Sequence, residues 1–399
     1  MSIFRSVLVA SMAVASILST GCSTDIDVIA PKRDVTIIYG LLEADQTRQF
    51  IRINKAFVGE DSAAALARQN GINEYSDAEL NAFVHEMEVD GITKTEKTWP
   101  LTKTTIYNKE DGSFNSDSNV IYYFDATLDV TKLYQLECVV NVEGEDERKV
   151  TALTDILGAP ASSGIGIEAV RLDEPRLSGN AGSTNGGSDR NKQEVLWVNG
   201  VDYAKSFEVE WSDVTGGHLY TSYCRLYYRD FNLTTGVATL DSVTLSIGSR
   251  NFEDEAGAKK IFPGISTQDF YSTIARRVDD LDTTVVRNMQ RIVSDTVQFF
   301  VEVANKELTT YIEVNQPISG VVQDRPEYTN VNGGIGIWAS RLVASTRTNS
   351  VHTSGRILDN KTMEELLYSN LVNSNDYTKS KSFTRPGRCA ILATGPKCQ

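Results

Sequence analysis

The stretch "KLYQLECVVNVEG", residues 132–144, constrains the fold more than any other feature of the chain. Tyr134, Leu136, Cys138, Val140 and Val142 recur at every second position, with Gln135, Glu137 and Asn141 between them. A period of two places the apolar side chains on one face of a strand; on a helix the same residues would be scattered around the axis. In "QFIRINKAFV" the apolar Phe50, Ile51 and Ile53 alternate with Arg52 and Asn54. The polar turn "EADQTR" joins this run to the preceding "DVTIIYGLLE". "NAFVHEMEVDG" counts Val84, Glu86 and Glu88 on one side and Phe83, His85, Met87 and Val89 on the other, and "VIYYFDATL" follows a turn-rich loop.

Short strands separated by polar turns predict a mainly β protein of two β-sandwich domains, immunoglobulin- or transthyretin-like, with a few short helices. The first sandwich is expected at 34–157, followed by the small-residue linker "LGAPASSGIG". The second β domain, 165–345, has strands in "SFEVEWSDV", "YTSYCRLYYRDF", "SVTLSIGSR", "VVRNMQRIVSDTVQFFVEVA" and the closing "GGIGIWASRLVAS". Its helical insertions are "STQDFYSTIARRVDD" and "KELTTYIEVNQ". In the former, Phe270, Ile274 and Val278 recur every fourth residue behind a Ser266 or Thr267 cap. A further short helix is expected in "DSAAALARQN". The polar extension 346–399 holds one helix, "KTMEELLYSN", with Thr362 and Glu365 in capping-box spacing.

The chain has 399 residues, 41% hydrophobic, and a net charge of -14. So acidic a surface repels phosphate backbones and argues against nucleic acid as a partner. Residues 1–21 read as an export signal: Arg5 is the positive start, Val7 to Leu18 the short apolar core, and Ser19, Thr20 and Gly21 the small residues a peptidase requires. Gly21 before Cys22 resembles a bacterial lipobox, in which the cysteine is lipidated. Ser19 stands where the usual leucine would be, with Leu18 one step further out. Residues 22–33 are then a lipidated tether, and several acyl chains on one cysteine anchor firmly. Ser23, not aspartate, follows Cys22, and Asp25 and Asp27 come soon after. The expected address is the outer membrane, at its periplasmic face or the cell surface.

Four further cysteines, Cys138, Cys224, Cys389 and Cys398, are possible disulfide partners in an exported protein, and four allow three pairings. Cys138, in an alternating apolar run, fits equally a buried free thiol. "HEMEV" starts like a zinc-protease motif, but Val89 replaces the second histidine and the run has strand period. "GGIGIWA" contains G-x-G-x-x-A but continues as strand, so its glycines are expected to serve close packing. "DDLD" (279–282) and "DGSFNSDSN" (111–119) are read as a solvated helix end and a turn rather than calcium sites. Four Asp-Ser/Thr triplets, at 61, 241, 282 and 295, resemble O-glycosylation sequons of exported Bacteroidota proteins. Trp211, Tyr223, Tyr227 and Tyr228 can stack on a sugar, though strand spacing favours core or cross-strand pairs. No catalytic residue, metal ligand or cofactor is expected, so the chain reads as a non-enzymatic binding protein.

Several stretches together resemble a Bacteroidota outer-membrane lipoprotein family, a domain of unknown function often encoded beside TonB-dependent receptors. They are the cysteine followed by "VTIIYGLL", then "FIRINKAF" and "NAFVHEMEVDG". The late segment "ELTTYIEVNQPISGVVQDRPEYTNVNGGIGIWASR" is similar in Tyr311, Pro317, Pro326, Asn330, Val331, Gly333, Gly334, Gly336 and Trp338. The resemblance implies an accessory or ligand-binding partner of a TonB-dependent receptor barrel. A fimbrillin-like surface adhesin or structural subunit is the alternative expectation.

Overall fold

The computed structural model describes residues 35–56, 63–69, 71–107, 119–158, 176–179, 194–195, 198–199, 202–203, 207–212, 214–252, 259–281, 288–316, 327–345, 356–358, 360–368, 381–384, 391–392 and 395–396. Residues 1–33, where an export signal and a tether at Cys22 are expected, lie outside these residues, as do His352, Cys389, Cys398 and residues 111–118. So do residues 61–62 and 282–284 of the triplets and the side chain of Trp211.

The chain is mainly β and of the β-sandwich class, as its periodicity predicts. The N-terminal region contributes β1 (Thr36–Leu42), β2 (Arg48–Lys55), a one-turn helix α1 (Ala63–Leu66), β3 (Leu80–Met87), β4 (Lys94–Pro100), β5 (Thr102–Ile106), β6 (Asn119–Asp125), β7 (Leu133–Val140) and β8 (Arg148–Thr154). In β7 every second residue is buried, Tyr134, Leu136, Cys138 and Val140, because that face alone meets the opposite sheet. In β3 the core face is Ala82, Val84 and Glu86. The Glu86 carboxylate is satisfied there by Thr95 at 3.1 Å, Lys97 at 3.0 Å and the Tyr134 hydroxyl at 3.3 Å.

The later elements are β9 (Arg176–Gly179), the two-residue strands β10 (Glu194–Val195), β11 (Val198–Asn199) and β12 (Asp202–Tyr203), then β13 (Phe207–Ser212), β14 (Leu219–Asn232), β15 (Ala238–Asn251) and β16 (Lys259–Pro263). Helix α2 (Thr267–Arg277), β17 (Met289–Ala304), helix α3 (Lys306–Asn315), β18 (Val331–Asn332) and β19 (Gly334–Ser345) follow. The chain ends with β20 (Arg356–Leu358), helix α4 (Asn360–Tyr368), β21 (Phe383–Thr384) and the pair β22 (Ile391–Leu392) and β23 (Gly395–Pro396). Ser266 caps α2 by accepting from Asp269 N, and Phe270, Ile274 and Val278 are buried on the stripe the spacing predicts.

The first sandwich does not close within 34–157. One of its sheets runs β19-β1-β2-β6-β5 and the other β18-β8-β7-β3-β4, so residues 331–340, expected in the second domain, complete both. Val331 and Trp338 belong to its core. β1 lies parallel to β19, from Thr36 opposite Gly334 to Leu42 opposite Ser340. From Arg341 onward β19 leaves β1 and pairs antiparallel with β17 in the sheet of the second half. One strand is thus shared by both units. The junction is packed and bonded: Ile156 enters the first core and its neighbour Leu157 the second. The buried Asn305 amide reaches Thr154 Oγ1 at 3.0 Å and Asp155 Oδ1 at 2.6 Å.

The late motif explains this geometry. A Cβ on Gly336, which has φ 113°, would lie 1.9 Å from Ile38 O, and one on Gly334 2.7 Å from Thr36 O. Only glycine lets β1 approach at this spacing. Trp338 is fully buried against Gly40, and its Nε1 donates to Tyr134 O at 2.9 Å. Asn330 brackets Trp338, accepting from its N–H at 3.0 Å and donating to its carbonyl at 2.6 Å.

In the second half, the long strands β14, β15 and β17 form the sheet, and α2, α4 and β13 contribute to the core against it. The extension 346–399 is not merely a polar tail. β20 and β21 pair with β17, and Met363, Leu366 and Leu367 of α4 enter the core. Helix α4 begins at Asn360, two residues ahead of the expected Thr362 cap; Thr362 is instead buried inside the helix, its carbonyl accepting from the Tyr271 hydroxyl at 3.3 Å. Cys138 and Cys224 are free thiols in separate cores, so neither forms the disulfide considered for it. Burial pushes the Cys138 thiol up to about 12.

Candidate functional site

Helix α3 lies on the outward side of β19. Its Leu308, with Tyr311 and Ile312 packed alongside, covers Ile337 and Ala339. The helix starts here because Asn305 caps it, accepting from Leu308 N at 3.2 Å. It stops short of β2, leaving a groove of about 620 Å³ between helix and sheet. Leu41, Leu308, Ile312 and Ile337 line it, with Tyr39, Phe50 and Tyr311.

The end wall is the β1–β2 turn. Gln49, buried to 2% exposure, locks this turn: its amide donates to Glu43 O at 2.8 Å and Gln46 O at 2.7 Å and accepts from Glu43 N at 3.0 Å. Beside it Arg341 Nε and Nη2 both hold Glu43 Oε1, at 2.7 and 2.6 Å. Tyr39 and Tyr311 meet edge to face, ring centroids 6.5 Å apart. Burial, then the hydrogen bond with Tyr39, pushes the Tyr311 hydroxyl up to about 12, so it remains a neutral donor. Phe50 lies 6.3 Å from Tyr123, and Arg48 stacks on Tyr123 at 4.3 Å while paired to Asp125 at 2.7 Å. The arrangement offers apolar area, aromatic edges and an ion pair with a spare carboxylate oxygen. That is binding chemistry: orientation by a few polar groups over an apolar floor.

The residues singled out in the sequence lie elsewhere. Tyr223 stacks on Phe300 with centroids 4.8 Å apart, and Arg225 covers the Phe300 ring at 5.0 Å. Tyr228 is buried and donates to Asp241 at 2.8 Å. Tyr227 donates to Gln298 at 3.1 Å. The Tyr223 and Phe300 faces that would stack on a sugar are turned to each other, as cross-strand pairing favours. His85 sits in β3, its Nδ1 2.9 Å from Thr98 Oγ1 and its Nε2 3.5 Å from Glu137; burial lowers its pKa. Glu86 points to the opposite face of the same strand, into the core. Among the described residues no group of three His, Cys, Asp or Glu side chains is placed to hold a metal ion, and no helix is long and apolar enough to cross a membrane. Asp280 of "DDLD" pairs with Lys381 at 2.5 Å.

Sequence reasoning missed Tyr39, Glu43, Phe50, Tyr311 and Arg341 as a group. A signal existed: "QFIRI" places Phe50 beside Ile51, so one of two adjacent apolar residues must face out. Ile51 is 1% exposed and Phe50 51%. "TIIYGLL" is apolar on both faces, which a half-solvated strand does not need.

No protein-family model matches this chain, and no curated protein matches it. Among solved structures it is compared with the secreted serine protease VesC from Vibrio cholerae, at 8% identity and a TM-score of 0.12. That alignment covers 59% of this chain and 46% of the protease, and a score so low bears on neither fold nor activity.

Proposed function

We propose that the protein is a non-enzymatic lipoprotein of the bacterial outer membrane, held by a lipid on Cys22, that serves a TonB-dependent receptor as an accessory or ligand-binding partner. The groove between α3 and the first sheet carries the binding part of this reading: it is concave, mostly apolar and edged by the Arg341–Glu43 pair. The export-type residues 1–21, with Gly21 before Cys22, support the anchor. The resemblance of "NVNGGIGIW" and its flanks supports the receptor association.

Membrane fractionation tests the anchor. Cys22→Ala is expected to move the protein into the soluble fraction and abolish its lipid label. Retention in the membrane with the label unchanged overturns the anchored reading. Gentle detergent extraction of native outer membranes tests the association: a stoichiometric barrel protein is expected with the wild type, and recovery of the protein alone removes the receptor from the proposal.

A further inference from the structure

We infer that the solvent-facing side of the first sheet, centred on Tyr39, Phe50 and Arg52, docks a protein segment that carries carboxylates beside apolar side chains. This rests on the accessory reading above and names the chemistry of the partner.

The patch follows from the register. Outward positions are Ile335 on β19, Tyr39 on β1 and Arg48, Phe50 and Arg52 on β2; Tyr39 sits opposite Arg52 on one side and Ile337 on the other. Ile335 is 43% exposed, Tyr39 45% and Phe50 51%. Three adjacent strands span about 10 Å, so the apolar area extends beyond the groove and suits a polypeptide better than a small molecule. Aromatic residues and arginine are the types enriched where interfaces concentrate binding energy.

Charge selects the partner. The chain carries -14 overall, yet β2 shows solvent two arginines around a phenylalanine. Arg48 is neutralised by Asp125 and Arg341 by Glu43. Arg52 Nε donates to the Asn54 side-chain oxygen at 2.6 Å, and Arg52 makes no ion pair among the described residues. An exposed guanidinium without a carboxylate, beside two exposed rings, is complementary to an Asp or Glu on an apolar surface. Both edges of β1 are already paired, to β2 and to β19, so the segment cannot add as a strand there and is recognised by side chains.

The test uses the full lipid-anchored chain in its native outer membrane, with a photo-crosslinking benzophenone amino acid at position 50, and in a parallel strain at position 240. Leu240 is 61% exposed on β15, away from the patch, and serves as the control. Position 50 is expected to cross-link to an outer-membrane protein through a segment containing Asp or Glu, and position 240 is not. Arg52→Glu is expected to cut the cross-link at least tenfold, whereas Arg52→Lys, which also loses the hydrogen bond to Asn54 but keeps the charge, is expected to retain most of it. The inference is overturned by a yield unaffected by Arg52→Glu, by adducts only to lipid or to a second copy, by equal adducts from position 240, or by none. Cys22→Ala fractionation in the same strain separates the two failures. An anchored protein with no adduct at position 50 loses this interface and keeps the membrane reading.

Discussion

The two halves of the molecule close their sheets in different ways. In the second half, β14 and β15 are joined by the five-residue loop 233–237 and pair along nearly their whole length, and β17 lies along the other edge of β14. In the first, β1 waits for β19, and Trp338 fills a core whose partner atom, Tyr134 O, lies 204 positions earlier. A hairpin can form as soon as its two strands exist, whereas the first sandwich needs the far end of the chain, with the loop-closure cost that implies. The first sandwich is therefore N-terminal in sequence only. Its stability depends on the strand it shares with the second half.

Gly336→Val attacks that shared strand most directly. With φ at 113° and Ile38 O in the way, the substitution is expected to cost more than about 4 kcal/mol, in the range reserved for severe steric conflict. Denaturant unfolding followed by near-UV circular dichroism measures it. Gly144→Ala is the matched control: its φ of 86° is equally left-handed, but nothing lies within 4 Å, so a loss of about 1 kcal/mol is expected.

Trp338→Ala comes next, with an expected loss of about 3–5 kcal/mol for a large buried side chain. If β19 couples the halves, the far-UV transition of both moves to lower denaturant together; two separated transitions mean that the second half stands without the first.

The two thiols give a gentler probe, one in each core. Both are fully buried and have their pKa raised by that burial, so neither is expected to react with a thiol reagent at neutral pH in the folded protein. In mild denaturant, coupled halves predict equal labelling rates, with each site followed by mass spectrometry. Faster labelling at Cys138 than at Cys224 would show the first sandwich opening alone.

The smallest effect concerns the junction. Burial first, then the neighbouring Asp155, raises the pKa of Glu307 above the usual 4.5, against the lowering by its own backbone bond and by His218 and Lys306. A carboxyl with a raised folded-state pKa binds its proton more tightly when folded. Its contribution is therefore present below 4.5 and lost as pH rises through the raised value. Thermal midpoints of Glu307→Gln are expected to fall less than those of the wild type across that window, and parallel curves would show that Glu307 carries no such linkage.

Much of the architecture could be read from residue spacing. Alternation in "KLYQLECVVNVEG" gives β7 and its buried face, and Phe270, Ile274 and Val278 give the packed stripe of α2. The reading of "GGIGIWA" as a close-packed strand agrees with β19, though which strand it packs against was not legible. Thr362 misled because capping-box spacing is short and recurs inside helices; burial inside the second half outweighed it. The groove was illegible for a related reason: its lining comes from β1, β2, α3 and β19, and no local window contains residues 39, 50, 311 and 341.

Residue spacing alone was enough to identify the main strands and helix α2 and the face of each that avoids water, because period and turn chemistry act over a few residues. It also showed where a close approach is allowed, through glycines at 334 and 336. Only the tertiary structure decided that β1 runs parallel to β19, that one strand serves two sheets, and that Tyr39, Phe50 and Arg341 share a surface. Strand pairing is a choice among distant partners with similar hydrogen bonds, and it is settled by the collective packing of side chains that no single segment contains.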